Sequence, residues 1–162
     1  MVETKTSIGI RVANEEIFYS IIQNEEIISI SSIKIPKALE NPESLSYIRN
    51  TLITIIQLYN VNLAAIRPIE PIAKQSSKNN LRINIEGVIQ ELFANSSIEN
   101  YILGTSAKVS SIYKSQVKSV QDILEDIIEK HEDLRTANGR KLKKEHKESV
   151  VVAAAVLKSF GG

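Results

Sequence analysis

Between Ser7 and Ile35 the chain reads SIGIRVANEEIFYSIIQNEEIISISSIKI, three β-branched segments cut by Asn14-Glu15-Glu16 and Asn24-Glu25-Glu26. Ile8 and Ile10 alternate with Gly9 and Arg11. In the second segment Ile17, Tyr19 and Ile21 fall on one face, with Phe18, Ser20 and Ile22 on the other. In the third, Ile28, Ile30 and Ser32 alternate with Ser29, Ser31 and Ile33. Period-two alternation broken by Asn/Glu clusters predicts an antiparallel meander of three strands.

The pattern then changes period. Asn41 is a good N-cap with Pro42 at the first helical position, and Leu45, Ile48, Leu52, Ile55, Ile56 and Tyr59 recur at helical spacing, which predicts an amphipathic helix from Pro42 to Tyr59. Val61 to Arg67 is short, apolar and stopped by Pro68, as a strand buried on both faces would be. Polar residues 70–80 read as a loop. Leu81, Ile85, Val88, Ile89, Leu92 and Phe93 give the next helix its stripe, and Ile98 to Leu103 reads as a strand ended by Gly104. Thr105-Ser106 opens a short helix through Ile112, Lys114 to Lys130 carries a further helical pattern, and His131 to Lys147 reads as a flexible connector or a lysine-rich helical extension. Glu148 to Phe160, with Ala153-Ala154-Ala155, closes the chain as a helix able to sit close against a sheet.

The order β-β-β-α-β-α-β-α-α-α predicts an α/β fold, a five-stranded mixed sheet with helices on both faces, in one domain spanning residues 1–162. A chain of 162 residues with a net charge of +1 has no bulk field to draw it onto nucleic acid or membrane, so such binding needs a local patch. The absence of cysteine excludes disulfides and thiolate chemistry, and two histidines are too few for a histidine-rich metal site. No signal-like start and no long apolar run is present, so a cytoplasmic protein without a membrane partner is expected.

Several segments together resemble the ribonuclease-H-like superfamily, and within it the Holliday-resolvase (RuvC-type) branch. They are Ile8-Gly9-Ile10-Arg11, Ala64-Ala65-Ile66-Arg67, NNLRINIEGVIQELF with ENYILGTSAKVSSIYK, and ESVVVAAAV from Glu148. The chain is also similar to small uncharacterised bacterial proteins of that fold. The resemblance implies phosphodiester hydrolysis with two divalent cations, held by carboxylates from the first strand, the fourth strand and the last helix. Here the first-strand seat is Arg11 and the fourth-strand seat is Arg67. Only the helix seat keeps an acid, Glu148, with Glu145 one turn earlier. Arginine stays protonated and cannot ligate a metal.

Two readings of Arg11 and Arg67 follow. They form an anion-binding spot for a phosphate-bearing ligand or nucleic acid, joined by Lys141, Lys143 and Lys144 of the basic run, or they make structural ion pairs with Glu148, Glu70 or Glu86. The preferred function is a non-catalytic, degenerate domain that binds nucleic acid or another anion, or serves in assembly, and uses no cofactor. One alternative is a Mg²⁺- or Mn²⁺-dependent nuclease with Glu70, Glu145 and Glu148 as rearranged ligands and catalytic groups. The other is a protein-binding module, with a homodimer or protein partner met at the meander edge. His146 reads as a surface residue, and Ser106 and Ser149 as capping hydroxyls.

Overall fold

A computed structural model describes residues 4–69, 77–113, 125 and 135–161, with 77–79 described by backbone only. The strands are β1 Thr6–Val12, β2 Glu16–Gln23, β3 Glu26–Lys34, β4 Leu63–Arg67 and β5 Asn100–Leu103. The helices are α1 Asn41–Leu58, α2 Ser77–Ala94, α3 Ser106–Ile112 and α4 Lys144–Phe160. The helical pattern at 114–130 lies outside the described residues apart from Glu125. The sheet order is β3-β2-β1-β4-β5. The meander pairs antiparallel, and β1 with β4 and β4 with β5 pair parallel. This is the predicted α/β architecture.

Side-chain alternation assigns the two faces. Ile8, Ile10, Val12, Ala64 and Ile66 pack with Ile48, Leu52 and Ile56 of α1 and Ile85, Ile89 and Phe93 of α2. The opposite face receives α4: Leu63, Ala65 and Ile102 meet Val151, Val152 and Val156, while Ile22 and Ile30 meet Val150 and Ala153. Central strands covered on both sides have no face to give to water, which is why β1 and β4 are almost wholly buried.

Close approach of α4 depends on small residues. A Cβ at Gly9 would collide with the Ser149 carbonyl oxygen and sit 2.6 Å from the Ala153 nitrogen. Ser7 Oγ donates to the Ala153 carbonyl at 2.9 Å, and Ser20 Oγ lies 2.6 Å from Ser149 Oγ. Ser149 is therefore a buried sheet-to-helix tie inside α4 rather than a cap.

Some element ends and one pairing register differ from expectation, among them the starts of α2 at Ser77 and α4 at Lys144. The N-cap of α1 is Glu40, without a side-chain cap bond, and Asn41 is already helical. The helix ends in a Schellman arrangement with Asn60 at φ 52°, Val61 N–H donating to Ile56 O and Asn60 N–H to Gln57 O. Pairing of β2 with β3 slips between Ile21 and Ile22, so Ile28 is the extra residue of a bulge and is exposed, while Ile27 joins Ile22 and Ile30 against α4.

Within the expected connector, residues 135–143 form a hydrogen-bonded turn docked on the edge of β3. Thr136 and Arg140 exchange bonds, Gly139 adopts φ +76°, and Ala137 N–H donates to the Ile30 carbonyl at 2.9 Å.

Candidate anion-binding site

Parallel register places Arg11 of β1 directly beside Arg67 of β4, on strands about 4.8 Å apart. Both side chains leave the sheet on the α4 face, because Gly9, two residues back from Arg11, already points at Ser149 and Ala153. Two guanidinium groups this close repel by roughly 1–4 kcal/mol at surface-like dielectric. The structure answers that repulsion with one carboxylate. Glu148 Oε2 lies 3.0 Å from Arg11 Nε and 3.5 Å from Arg67 Nε, with all three side chains 15–17% exposed.

Further bonds fix each fork. Arg11 also donates from Nη1 to the Val12 carbonyl. Arg67 donates to the Gly104 carbonyl at 3.3 Å and to Ser106 Oγ at 2.8 Å. Ser106 is thus an arginine acceptor, and capping of α3 falls to Thr105, whose side chain accepts from Lys108 N. A third arginine completes the cluster. Arg82 Nε lies 2.8 Å from Glu86 Oε2, Glu86 Oε1 accepts from Ile69 N–H, and Arg82 Nη2 reaches the Arg67 carbonyl. Burial, then the charge of Arg11, pull the Arg82 pKa down, against Glu86 and Glu148, which hold it up. Among the described residues the three guanidinium groups meet two carboxylates, Glu148 and Glu86.

The structure brings together Arg11, Arg67 and Glu148. Glu145 is half-buried one turn before Glu148, where its charge acts on His146. Glu70 lies outside the described residues. Lys141 and Lys143 line a neighbouring groove, whereas Lys144 is exposed at the first residue of α4 and does not line it. Among the described residues no group of three His, Asp or Glu side chains is placed to hold a metal ion. The residues at the strand ends do not fit the two-cation site that the resemblance implies, since both strand seats carry guanidinium groups and the helix carboxylate is bonded to them.

Sequence reasoning missed Arg82 and misread His146. The signal for Arg82 was its i,i+4 spacing to Glu86, an acid set inside the buried stripe between Ile85 and Ile89. His146 is 5% exposed. Its ring stands edge-on to Phe18 at 4.7 Å, and Nδ1 accepts the Lys143 backbone N–H at 3.0 Å, which starts α4 four residues before Glu148. Burial holds its pKa below the ordinary value, opposed by Glu16 and Glu145 and assisted by Lys143.

A depressed histidine pKa means that the unfolded chain binds more protons below the ordinary value. Stability from neutral His146 is therefore complete above about pH 6.5 and declines as pH falls towards the folded-state pKa, by at most about 1.4 kcal/mol per pH unit. His146→Gln keeps a cap acceptor but cannot titrate, so denaturant melts between pH 7 and 5 should show a shallower loss in the variant. Equal pH slopes would assign the loss to other groups.

No protein-family profile and no curated protein sequence matches the chain significantly. Solved structures do. Thermus thermophilus RuvC matches at TM-score 0.70 and 8% identity, covering 96% of both chains. T. thermophilus RuvC in complex with Holliday junction substrate matches at TM-score 0.66 and 8% identity, covering 93% of this chain and 91% of that one. The yeast mitochondrial Holliday junction resolvase matches at TM-score 0.63 and 15% identity, covering 94% and 77%. The fold is RuvC-like and ribonuclease-H-like. Among the described residues no helix is long and apolar enough to cross a membrane.

Proposed function

We propose that this RuvC-like chain is a non-catalytic, single-domain nucleic-acid-binding protein, using the C-terminal ends of β1 and β4 and the start of α4 to meet the phosphate backbone. The observation that carries the reading is the register pair Arg11 and Arg67, bridged by Glu148. Strand ends that would present acids to cations instead present forked donors, whose geometry suits phosphate oxygens. Exposed Arg140, Lys141, Lys143 and Lys144 extend the positive surface from there. With a net charge of only +1, this local concentration is what makes binding feasible for the chain. Its structural neighbours include a RuvC bound to a Holliday junction, which makes branched DNA the first ligand to try.

Fluorescence anisotropy of a four-way DNA junction across a salt series tests the proposal. Binding should weaken steeply with salt, with a log–log slope near −0.9 per phosphate contacted. The double variant Lys141→Ala/Lys144→Ala should bind more weakly and lower the slope by about 2, one unit per contact removed. The reading fails if the junction, duplex and single strand all go unbound at low salt.

A further inference from the structure

Beside the arginine cluster, on the far side of Phe18, a groove of about 350 Å³ opens between the ends of β2 and β3, the 135–143 turn and the start of α4. That volume is at the lower end for small-ligand sites. Its charged lining is Glu16, Lys34, Arg140, Lys141 and Lys143, with His146 at one wall. Glu16 is the cross-strand partner of Lys34 and is the one acid against four cations in that lining. Arg140, Lys141 and Lys143 have no acid among the other lining residues. Ser31 and Ser32 add hydroxyls on the β3 side.

His146 is the second, independent pointer to a ligand. The side chain is 5% exposed, and Nδ1 is committed as acceptor to the Lys143 N–H. The proton of the neutral ring therefore sits on Nε2. Among the described residues Nε2 has no hydrogen-bond partner, and since none of their unbonded side-chain polar atoms is sealed from solvent, Nε2–H keeps access to solvent on a ring that lines the groove. An oriented donor on a largely buried ring, beside described lining residues in which cations outnumber acids, selects an acceptor-rich anion.

We infer that this groove binds a phosphate monoester of about nucleotide size. A monoester carries nearly two negative charges at neutral pH and three strong acceptor oxygens, against the single charge of a backbone diester. The groove offers more positive charge than one diester balances, within a volume that holds one nucleotide and no duplex. The monoester is supplied either by the phosphorylated end of a strand or by a free nucleotide. The strand-end source rests on the nucleic-acid reading above, and the groove itself does not.

The test compares matched ligands with and without the monoester: a short single strand bearing a 5′-phosphate or a 5′-hydroxyl, adenosine 5′-monophosphate or adenosine, and inorganic phosphate alone. Calorimetry and anisotropy should show at least about tenfold tighter binding of the phosphorylated member in one pair or both. Lys141→Glu should abolish that preference, while Lys158→Glu, the same charge change in the last turn of α4 and outside the groove, should leave it intact. Preference in the strand pair alone identifies strand ends as the source, and preference in the nucleotide pair alone identifies free nucleotide. Equal binding within both pairs overturns the inference, as does a preference equally sensitive to Lys141→Glu and Lys158→Glu. Strand binding without any phosphate preference would sink the groove and spare the proposed function. Monophosphate preference with no strand binding would do the reverse.

Discussion

Gly9→Ala is expected to cost about 3 kcal/mol of folding stability, at the upper end of the usual overpacking penalty. The added methyl meets the Ser149 carbonyl oxygen and the Ala153 backbone nitrogen, and helix backbone cannot swing aside as a side-chain tip can. Relief requires α4 to lift away from β1, loosening the Ser7–Ala153 bond and the Ser20–Ser149 bond together. It also withdraws Glu148 from Arg11, so the packing defect reaches the candidate site. The same substitution at Gly87 of α2 should have the opposite sign. Nothing lies within 4 Å of a Cβ built there, and alanine in an exposed helix interior gains roughly 0.5–1 kcal/mol over glycine. Chemical denaturation of the two variants reads both effects. A neutral Gly9→Ala would mean that α4 does not sit where it is described.

Glu148→Gln should lower stability by about 3 kcal/mol, the lower end for breaking a largely buried ion pair, because glutamine still accepts one hydrogen bond. For a chain of this size the melting temperature should fall by roughly 6–12 °C. The cost comes from leaving Arg11 and Arg67 side by side without the carboxylate between them. A double-mutant cycle with Arg11→Gln should return a coupling energy of about 1 kcal/mol or more, and additivity would mean that the bridge contributes little. The same change removes a negative charge from the surface proposed to meet phosphate. Junction affinity at low salt should therefore rise in Glu148→Gln, whereas a metal ligand lost at this position would lower it.

Much of the fold was legible because its signals are local. The meander follows from alternation within each segment, and α1 from one stripe at helical spacing. The bulge at Ile28 was not legible, since a run of isoleucines and serines fits either register and only pairing with β2 settles it. The start of α4 was left between a connector and a helical extension for a similar reason. Residues 144–147 are polar, and what begins the helix there is a histidine acceptor turned back on its own first turn, held by Phe18 from a distant strand. Arg11, Arg67 and Glu148 were found by resemblance of the strands and last helix that carry them. Their convergence on one oxygen depends on the parallel register of β1 with β4 and on the depth to which Gly9 admits α4. Arg82 was missed because Glu86 was assigned as an ion-pair partner of Arg11 or Arg67, whereas its carboxylate meets Arg82 one turn away and the Ile69 N–H at the strand end.

The most direct test incubates the wild-type protein with a labelled four-way DNA junction in chelator, and in parallel with Mg²⁺ or Mn²⁺. Affinity is read by anisotropy and strand integrity on denaturing gels. Binding in chelator with every strand intact under all conditions is the predicted result. Metal-dependent cutting that Glu148→Gln abolishes, or binding that requires the metal, would contradict it.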